Sequence, residues 1–256
     1  MAYKDHIAET WDKAILSSVL LELTYRCNLD CVICYNDRVQ AGVPLAREDY
    51  LRLIDDLADL QVLTLTLSGG EPLVHPDFWT IGAHARTLGF VVRIKSNGHA
   101  LRTATSRRLK QEIDPFIVEL SLHGATAETH DRQTCIPGSF VRLLDNVRAL
   151  QEAGLRAKFN SPMTAWNEGE TEAMFALAES VGVPLSVDTR LTPRDDGDLS
   201  PLEITPPVFP PCSKRRPRMG RFAACCSTPA GIPPGSTGVL PRKVSIGCCR
   251  RARSKH

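Results

Sequence analysis

Three cysteines set the first constraint on this 256-residue chain. They stand at C-x3-C-x2-C spacing in Thr24-Tyr25-Arg26-Cys27-Asn28-Leu29-Asp30-Cys31-Val32-Ile33-Cys34-Tyr35, directly after the apolar run Val19-Leu20-Leu21-Glu22-Leu23. A short strand that delivers a loop with three thiolates can cap three irons of a cubane 4Fe–4S cluster, which takes four protein sulfurs when saturated. Three ligands leave one iron open, and an open position separates a reactive metal site from a structural one. Two other readings stand beside it. A zinc site would want C-x2-C pairs and a fourth ligand, and no His or second Cys pair lies nearby. Free cysteines also serve as core residues.

The chain beyond this loop repeats one unit. Val19–Thr24 reads as a strand and 46–60 as a helix, with Leu51, Ile54, Leu57 and Leu60 on one face. Val62–Leu67 alternates apolar residues with Thr, the mark of a strand, and ends at Ser68-Gly69-Gly70-Glu71-Pro72. Asp77 is expected to cap a helix bearing Phe78, Ile81, Ala85 and Leu88, with Gly89 as its stop. Strand 90–95 runs into Ser96-Asn97-Gly98, helix 103–113 follows, and strand 116–122 ends at His123-Gly124. Ser139 is expected to cap a helix closed by Gly154; strand 156–160, helix 168–181 and strand 185–188 complete the series.

Six β-α steps in series predict an α/β fold of parallel strands joined by right-handed crossovers. Cys27, Gly69, Asn97 and His123 then fall at the carboxyl ends of successive strands, the end that carries the active site in barrels of this kind.

In these residues the chain resembles the radical S-adenosylmethionine (SAM) superfamily. Cys27, Cys31 and Cys34 match its cysteine signature, and Gly69-Gly70-Glu71-Pro72 matches the turn that holds the methionine amino group. Together with Ser121-Leu122-His123-Gly124 they look most like the branch that modifies ribosomally made peptides and carries a carboxyl-terminal SPASM domain. The resemblance runs from about Ile15 to Leu202 and implies a partial (β/α)6 TIM-like barrel.

It further implies a 4Fe–4S cluster on Cys27, Cys31 and Cys34, with SAM chelated to the open iron. One electron from a donor such as flavodoxin or ferredoxin would cleave SAM to a 5′-deoxyadenosyl radical that takes hydrogen from the substrate. Gly69, Gly70 and Glu71 would hold SAM, with Glu71 accepting from its ammonium; Ser96 and Asn97 fall where the family meets its carboxylate or ribose, and Ser121 where ribose is bound. The residue before the third cysteine, often aromatic or His in the family, is Ile33; Tyr35 supplies the adenine contact, or Ile33 packs as an apolar wall. The substrate is a peptide or, as in relatives that process molybdopterin precursors, a small molecule. A non-catalytic Fe–S or zinc protein remains an alternative. His123, His130 and Asp131 either face the substrate or form a satisfied polar cluster, and Cys135 has no partner at ligand spacing.

Three segments follow: a lead-in over 1–17, the core over 18–203 and a tail over 204–256. The first residues lack the apolar region of a signal peptide and no apolar run approaches a membrane span, so a cytoplasmic enzyme without membrane or nucleic-acid partners is expected. Residues 1–200 carry 20 Lys+Arg against 28 Asp+Glu, whereas 201–256 carry 11 against 1. Residues 201–256 hold 10 of the 18 prolines and 5 of the 9 cysteines, and the two adjacent pairs of the irregular tail, Cys225-Cys226 and Cys248-Cys249, match auxiliary-cluster spacing poorly. It could be a divergent cluster-binding segment, a basic arm for an acidic partner or a disordered end; a degraded or frame-shifted SPASM region is the favoured reading.

Overall fold

The computed structural model describes Lys13 and residues 15–36 and 45–206, all within one compact unit; the tail reading falls outside the described residues, as does most of the lead-in. Six strands, β1 (Ser18–Glu22), β2 (Thr64–Ser68), β3 (Val91–Ser96), β4 (Ile117–Ser121), β5 (Ala157–Pro162) and β6 (Leu185–Asp188), lie side by side in sequence order and are parallel throughout. Between them run α1 (Arg47–Asp59), α2 (Phe78–Thr87), α3 (Thr103–Glu112), α4 (Ala127–Thr134), α5 (Ser139–Glu152) and α6 (Thr171–Ser180). β1 and β6 do not pair with each other, so the barrel is partial, as expected. No helix among the described residues is long and apolar enough to cross a membrane.

Strand alternation sorts side chains onto two faces. Val19, Leu21, Leu65, Leu67, Val92, Ile94, Val118, Leu120 and Phe159 are buried in the core with Ile54, Phe78, Ile81, Leu109, Leu143, Val147 and Leu150 from the helices. The alternate residues, among them Thr66, Arg93, Lys95, Glu119, Lys158 and Asn160, share the inner face by register. Parallel strands covered on both sides are commonly apolar on both faces; here only the helix-facing side is. Gly89, Gly154 and Gly182 follow α2, α5 and α6 at positive φ, the left-handed conformation that ends helices.

Four local expectations need correction. Asp77 holds the position before α2, but its side chain makes no bond to that helix; its Oδ1 accepts instead from Arg47 Nε at 2.6 Å. Gly138, not Ser139, precedes α5, and Ser139 is the first helical residue. The segment 168–181 is a 3-10 turn over Glu168–Glu170 followed by α6. The short helix α4 was not foreseen, since its polar sequence buries only His130, Gln133 and Thr134. A last 3-10 turn at Ser200–Ile204 returns to the sheet end, where the Ile204 carbonyl accepts from Ala165 N–H at 2.8 Å.

Asp131 joins α4 to α5. Its Oδ2 accepts from Gly138 N–H at 2.6 Å, and its Oδ1 from Ser139 Oγ at 2.7 Å and Phe140 N–H at 2.8 Å. Burial pushes its carboxyl up, but the donors from Ser139, Phe140 and Gly138 outweigh that and hold it below the usual carboxylate range. Asp131→Ala is expected to lower the urea midpoint near neutrality by about 1–3 kcal/mol in stability. Because the folded value is depressed, the difference from wild type should be full above the unfolded value and vanish as pH falls through the folded one. Urea titrations across that range check both the size and the sign.

Candidate active site

The cysteine loop and the Gly-Gly-Glu turn are held together by their backbones. Beyond β1, Leu23 N–H donates to Ser68 O at 3.0 Å; Gly70 N–H donates to Thr24 O at 2.6 Å and Glu71 N–H to Arg26 O at 3.0 Å. The contact is so close that neither glycine could carry a side chain. A Cβ on Gly69, whose φ is +132°, would lie 2.3 Å from Thr24 O; one on Gly70 would lie 2.5 Å from the carbonyl oxygens of both Tyr25 and Arg26. The glycines therefore serve the approach of two chain segments. Their own carbonyls accept no hydrogen bond among the described residues, which suits them to a donor such as an ammonium group.

Glu71 turns inward from this turn and is fully buried. Its oxygens accept from Ser96 Oγ at 3.0 Å each, from Asn97 N–H at 2.8 Å and from Leu73 N–H at 3.2 Å. Burial pushes its carboxyl up to about 7 against these donors from Asn97, Leu73 and Ser96. Ser96 is likewise buried: its Oγ also accepts from Gly98 N–H at 3.0 Å. Both residues thus sit where they brace the ends of β2 and β3. Asn97 reaches the other way. Its Nδ2 donates to Asn28 Oδ1 at 2.7 Å and lies 3.6 Å from Cys27 Sγ, while its Oδ1 accepts from His99 N–H at 2.9 Å.

The far side of the cysteine loop is fastened to α4. Asp30 N–H donates to Thr134 O at 3.3 Å and Val32 N–H to Gln133 O at 3.0 Å, one on each side of Cys31. Cys34 N–H donates to Cys31 O at 3.2 Å, and Leu29 N–H points to Cys27 Sγ at 3.4 Å. Burial pushes the Cys27 thiol up; burial, then the neighbouring Cys27, Cys34 and Cys135 sulfurs, push Cys31 further still. Thiols in this setting stay protonated until a metal displaces the proton. Among the described residues no three His, Cys, Asp or Glu side chains are gathered for a single metal ion. Three free cysteines on one loop match the three-thiolate set that a cubane distributes over separate irons.

Tyr35 places its hydroxyl on Glu22 Oε1 at 2.6 Å, and burial followed by that carboxylate raises its phenol. Ser121 is half-buried at the end of β4, opposite Asn160, and its hydroxyl makes no hydrogen bond among the described residues. His130 is a satisfied core residue whose Nδ1 accepts from His123 N–H at 3.1 Å. Burial holds the His123 imidazole down at about 4, and burial with the neighbouring His123 holds His130 at about 3, so both are neutral near pH 7. His123 Nδ1 and Gln133 Oε1 are buried without a partner among the described residues. Asn28, Gln133 and Asn167, which donates to the His123 carbonyl at 3.1 Å, are supporting residues that no motif in the sequence announced. The one available signal was Asn28, next to a cysteine.

Two outcomes follow from this geometry. Gly70→Ala must push the turn off the cysteine loop; about 2–4 kcal/mol of stability and most iron loading on reconstitution should be lost, whereas wild-type loading would show the clamp to be dispensable. Glu71, held above its unfolded value, favours the folded state fully below that value and loses this as pH rises through about 7. The stability of Glu71→Gln relative to wild type should therefore rise between pH 5 and 8 by roughly 3 kcal/mol, read from urea midpoints.

A model of the radical SAM superfamily matches residues 21–178. The chain is 36% identical over 180 residues to the mycofactocin maturase MftC of Mycobacterium ulcerans (strain Agy99), covering 69% of this chain and 47% of that protein. It is 34% identical over 188 residues to the AdoMet-dependent heme synthase of Methanosarcina barkeri (strain Fusaro / DSM 804), covering 72% and 53%. In fold it is similar to Streptococcus suis SuiB in its crystal structure with the precursor peptide SuiA, with a TM-score of 0.60 at 18% identity, covering 72% of this chain and 42% of that one. The chain spans about half the length of the curated relatives it matches. The matched stretch takes in the end of β1, the three-cysteine loop, the clamped Gly-Gly-Glu turn and all of β2 to β5, and the chain belongs to the radical SAM superfamily.

Proposed function

We propose that this chain is a radical SAM enzyme acting on a ribosomally made peptide. The observation that carries the reading is the backbone clamp that joins the three-cysteine loop to a turn whose two glycine carbonyls accept from no described residue. When bound, a 4Fe–4S cluster with SAM supplies one-electron cleavage of SAM to a carbon radical that abstracts hydrogen; the protein's share is binding, orientation and exclusion of water.

Cys27, Cys31 and Cys34 would hold the cluster. The carbonyls of Gly69 and Gly70 would accept from the SAM ammonium, with Ser121 and Asn97 lining its other side. Glu71 and Ser96 act from beneath, fixing the turn and Asn97, and Asn97 in turn fixes Cys27. Tyr35, tied to Glu22, closes the β1 side of the loop.

A peptide substrate is supported by the complex of SuiB with SuiA and by the outer edges of β1 and β6, which pair with no further strand among the described residues and so could take an extended chain. The heme synthase relative supports a second reading, a small-molecule substrate. A cytoplasmic setting and a flavodoxin- or ferredoxin-type donor belong to the same proposal, as does a tail derived from a SPASM region.

Anaerobic reconstitution is expected to give about four irons per chain bound through these cysteines, as cubane stoichiometry requires. With SAM and a chemical reductant the loaded protein should form 5′-deoxyadenosine. Cys27→Ala, Cys31→Ala and Cys34→Ala should each abolish it; turnover persisting in any of the three overturns the cluster assignment.

A further inference from the structure

One row of the inner face is charged in a way that the cofactor site does not use. By register Lys95 on β3 stands opposite Glu119 on β4, and Glu119 stands opposite Lys158 on β5. Glu119 is buried, and its partners lie elsewhere: Oε1 accepts from Arg93 Nε at 3.0 Å and Oε2 from Asn160 Nδ2 at 2.6 Å. Burial pushes its carboxyl up, but the bonds from Arg93 and Asn160 and the Lys95 charge outweigh this and hold it below the usual carboxylate range. Arg93 thus makes the direct ion pair with Glu119, Lys95 reaches it only through its charge, and the row keeps a net positive charge. Neither lysine makes a hydrogen bond or ion pair with a described residue; Lys95 is exposed and Lys158 half-buried.

The other acids of this face are already engaged, Glu22 with the Tyr35 hydroxyl and Asp188 with Arg190. Two cations thus share the inner face, two strand spacings or roughly 10 Å apart. They stand one row below Ser121 and Asn160, toward the amino ends of the strands. Lysines scattered on a solvated surface would need no explanation. Residues 1–200 carry a net negative charge, however, and two cations gathered on one face of such a body draw an anion to that face.

We propose that Lys95 and Lys158 form a carboxylate-binding subsite that seats an acidic group of the substrate on the inner face beneath the cofactor end. The substrate's place in this cleft rests on the radical SAM reading above. SAM carries a carboxylate too, so the shared chemistry has two sources; the position one row below the turn and Ser121 favours the substrate. Lysine suits the task, because its ammonium can swing on a flexible stem to meet a carboxylate presented from open space.

The test uses the full chain, reconstituted and loaded with SAM, with glutarate and its uncharged diamide as probes in calorimetric titrations at low salt. Wild type should bind glutarate at least about tenfold more tightly than the diamide, as charge-assisted hydrogen bonds imply. In the double variant Lys95→Gln/Lys158→Gln that preference should disappear. Because the lysines make no hydrogen bond or ion pair with a described residue and only the charge of Lys95 acts on Glu119, the variant should still melt cooperatively, and each single variant should lose part of the preference. Equal binding of the two probes by wild type overturns the proposal. So does a parallel loss of SAM and glutarate affinity in the double variant, which would give the lysines to the SAM carboxylate. Absence of SAM binding and cleavage with glutarate preference intact would instead sink the radical SAM reading and leave the subsite standing.

Discussion

The site depends on two backbone hydrogen bonds, Gly70 N–H to Thr24 O and Glu71 N–H to Arg26 O. Each contributes only about 0.5–1.5 kcal/mol net, so their importance is positional. They fix a loop that has no regular structure of its own against the end of the neighbouring strand, at a separation only glycine allows. The stability that holds this arrangement comes from elsewhere, chiefly the apolar layer between sheet and helices. A rigid scaffold carrying a functional loop is the usual division of roles. Here the junction between the two consists of main-chain atoms, and it constrains side chains only by forbidding them.

Glu71 extends that junction to a third strand. A fully buried carboxylate is costly unless its oxygens are satisfied, and here Ser96, Asn97 and Leu73 all donate to it. The bond to Asn97 N–H fixes the backbone of a residue whose side chain reaches Asn28 and Cys27. The ends of β1, β2 and β3 are coupled through one carboxylate and one amide, and α4 closes the other side of the loop through Gln133 and Thr134. Displacing any of these segments would shift the sulfurs, although none of them needs to touch what the sulfurs bind.

Much of this was legible in the sequence because strands and stops advertise themselves. Val92 and Ile94 alternate with Arg93 and Lys95, and Gly89, Gly154 and Gly182 occupy the left-handed positions at which helices end. The three-cysteine spacing and the Gly-Gly-Glu turn marked in the sequence the two segments that the backbone hydrogen bonds join. The helix α4 was not legible: Ala127-Glu128-Thr129-His130-Asp131-Arg132-Gln133-Thr134 has no apolar stripe, and tertiary contacts rather than propensity keep it folded. The brace on Glu71 was half legible. Continuing the alternation from Val92 and Ile94 places Ser96 with the buried side of β3, away from Lys95, whereas a motif alone suggests direct contact with a ligand. Nothing local in Glu71 announces that it is enclosed, since burial is a property of the strands around it.

The inner face shows why an incomplete barrel can be useful. A closed barrel of this size fills its interior with branched apolar side chains packed in layers. With β1 and β6 not paired to each other, the inner face can instead carry polar residues whose neighbours are graded by register. Ser121 and Asn160 lie nearest the loops, then Lys95, Glu119 and Lys158, and Arg93 one position further toward the amino end of β3. Glu119 separates these levels electrically. By engaging Arg93 from one side and Asn160 from the other it removes one cation and orients one amide, and what remains unbalanced is confined to the two lysines. Without Glu119 three cations would repel one another across neighbouring strands, and Asn160 would lose the acceptor that orients it. The carboxylate gives the open face a defined charge pattern in place of a diffuse positive field, and a defined pattern is what discrimination between substrates requires.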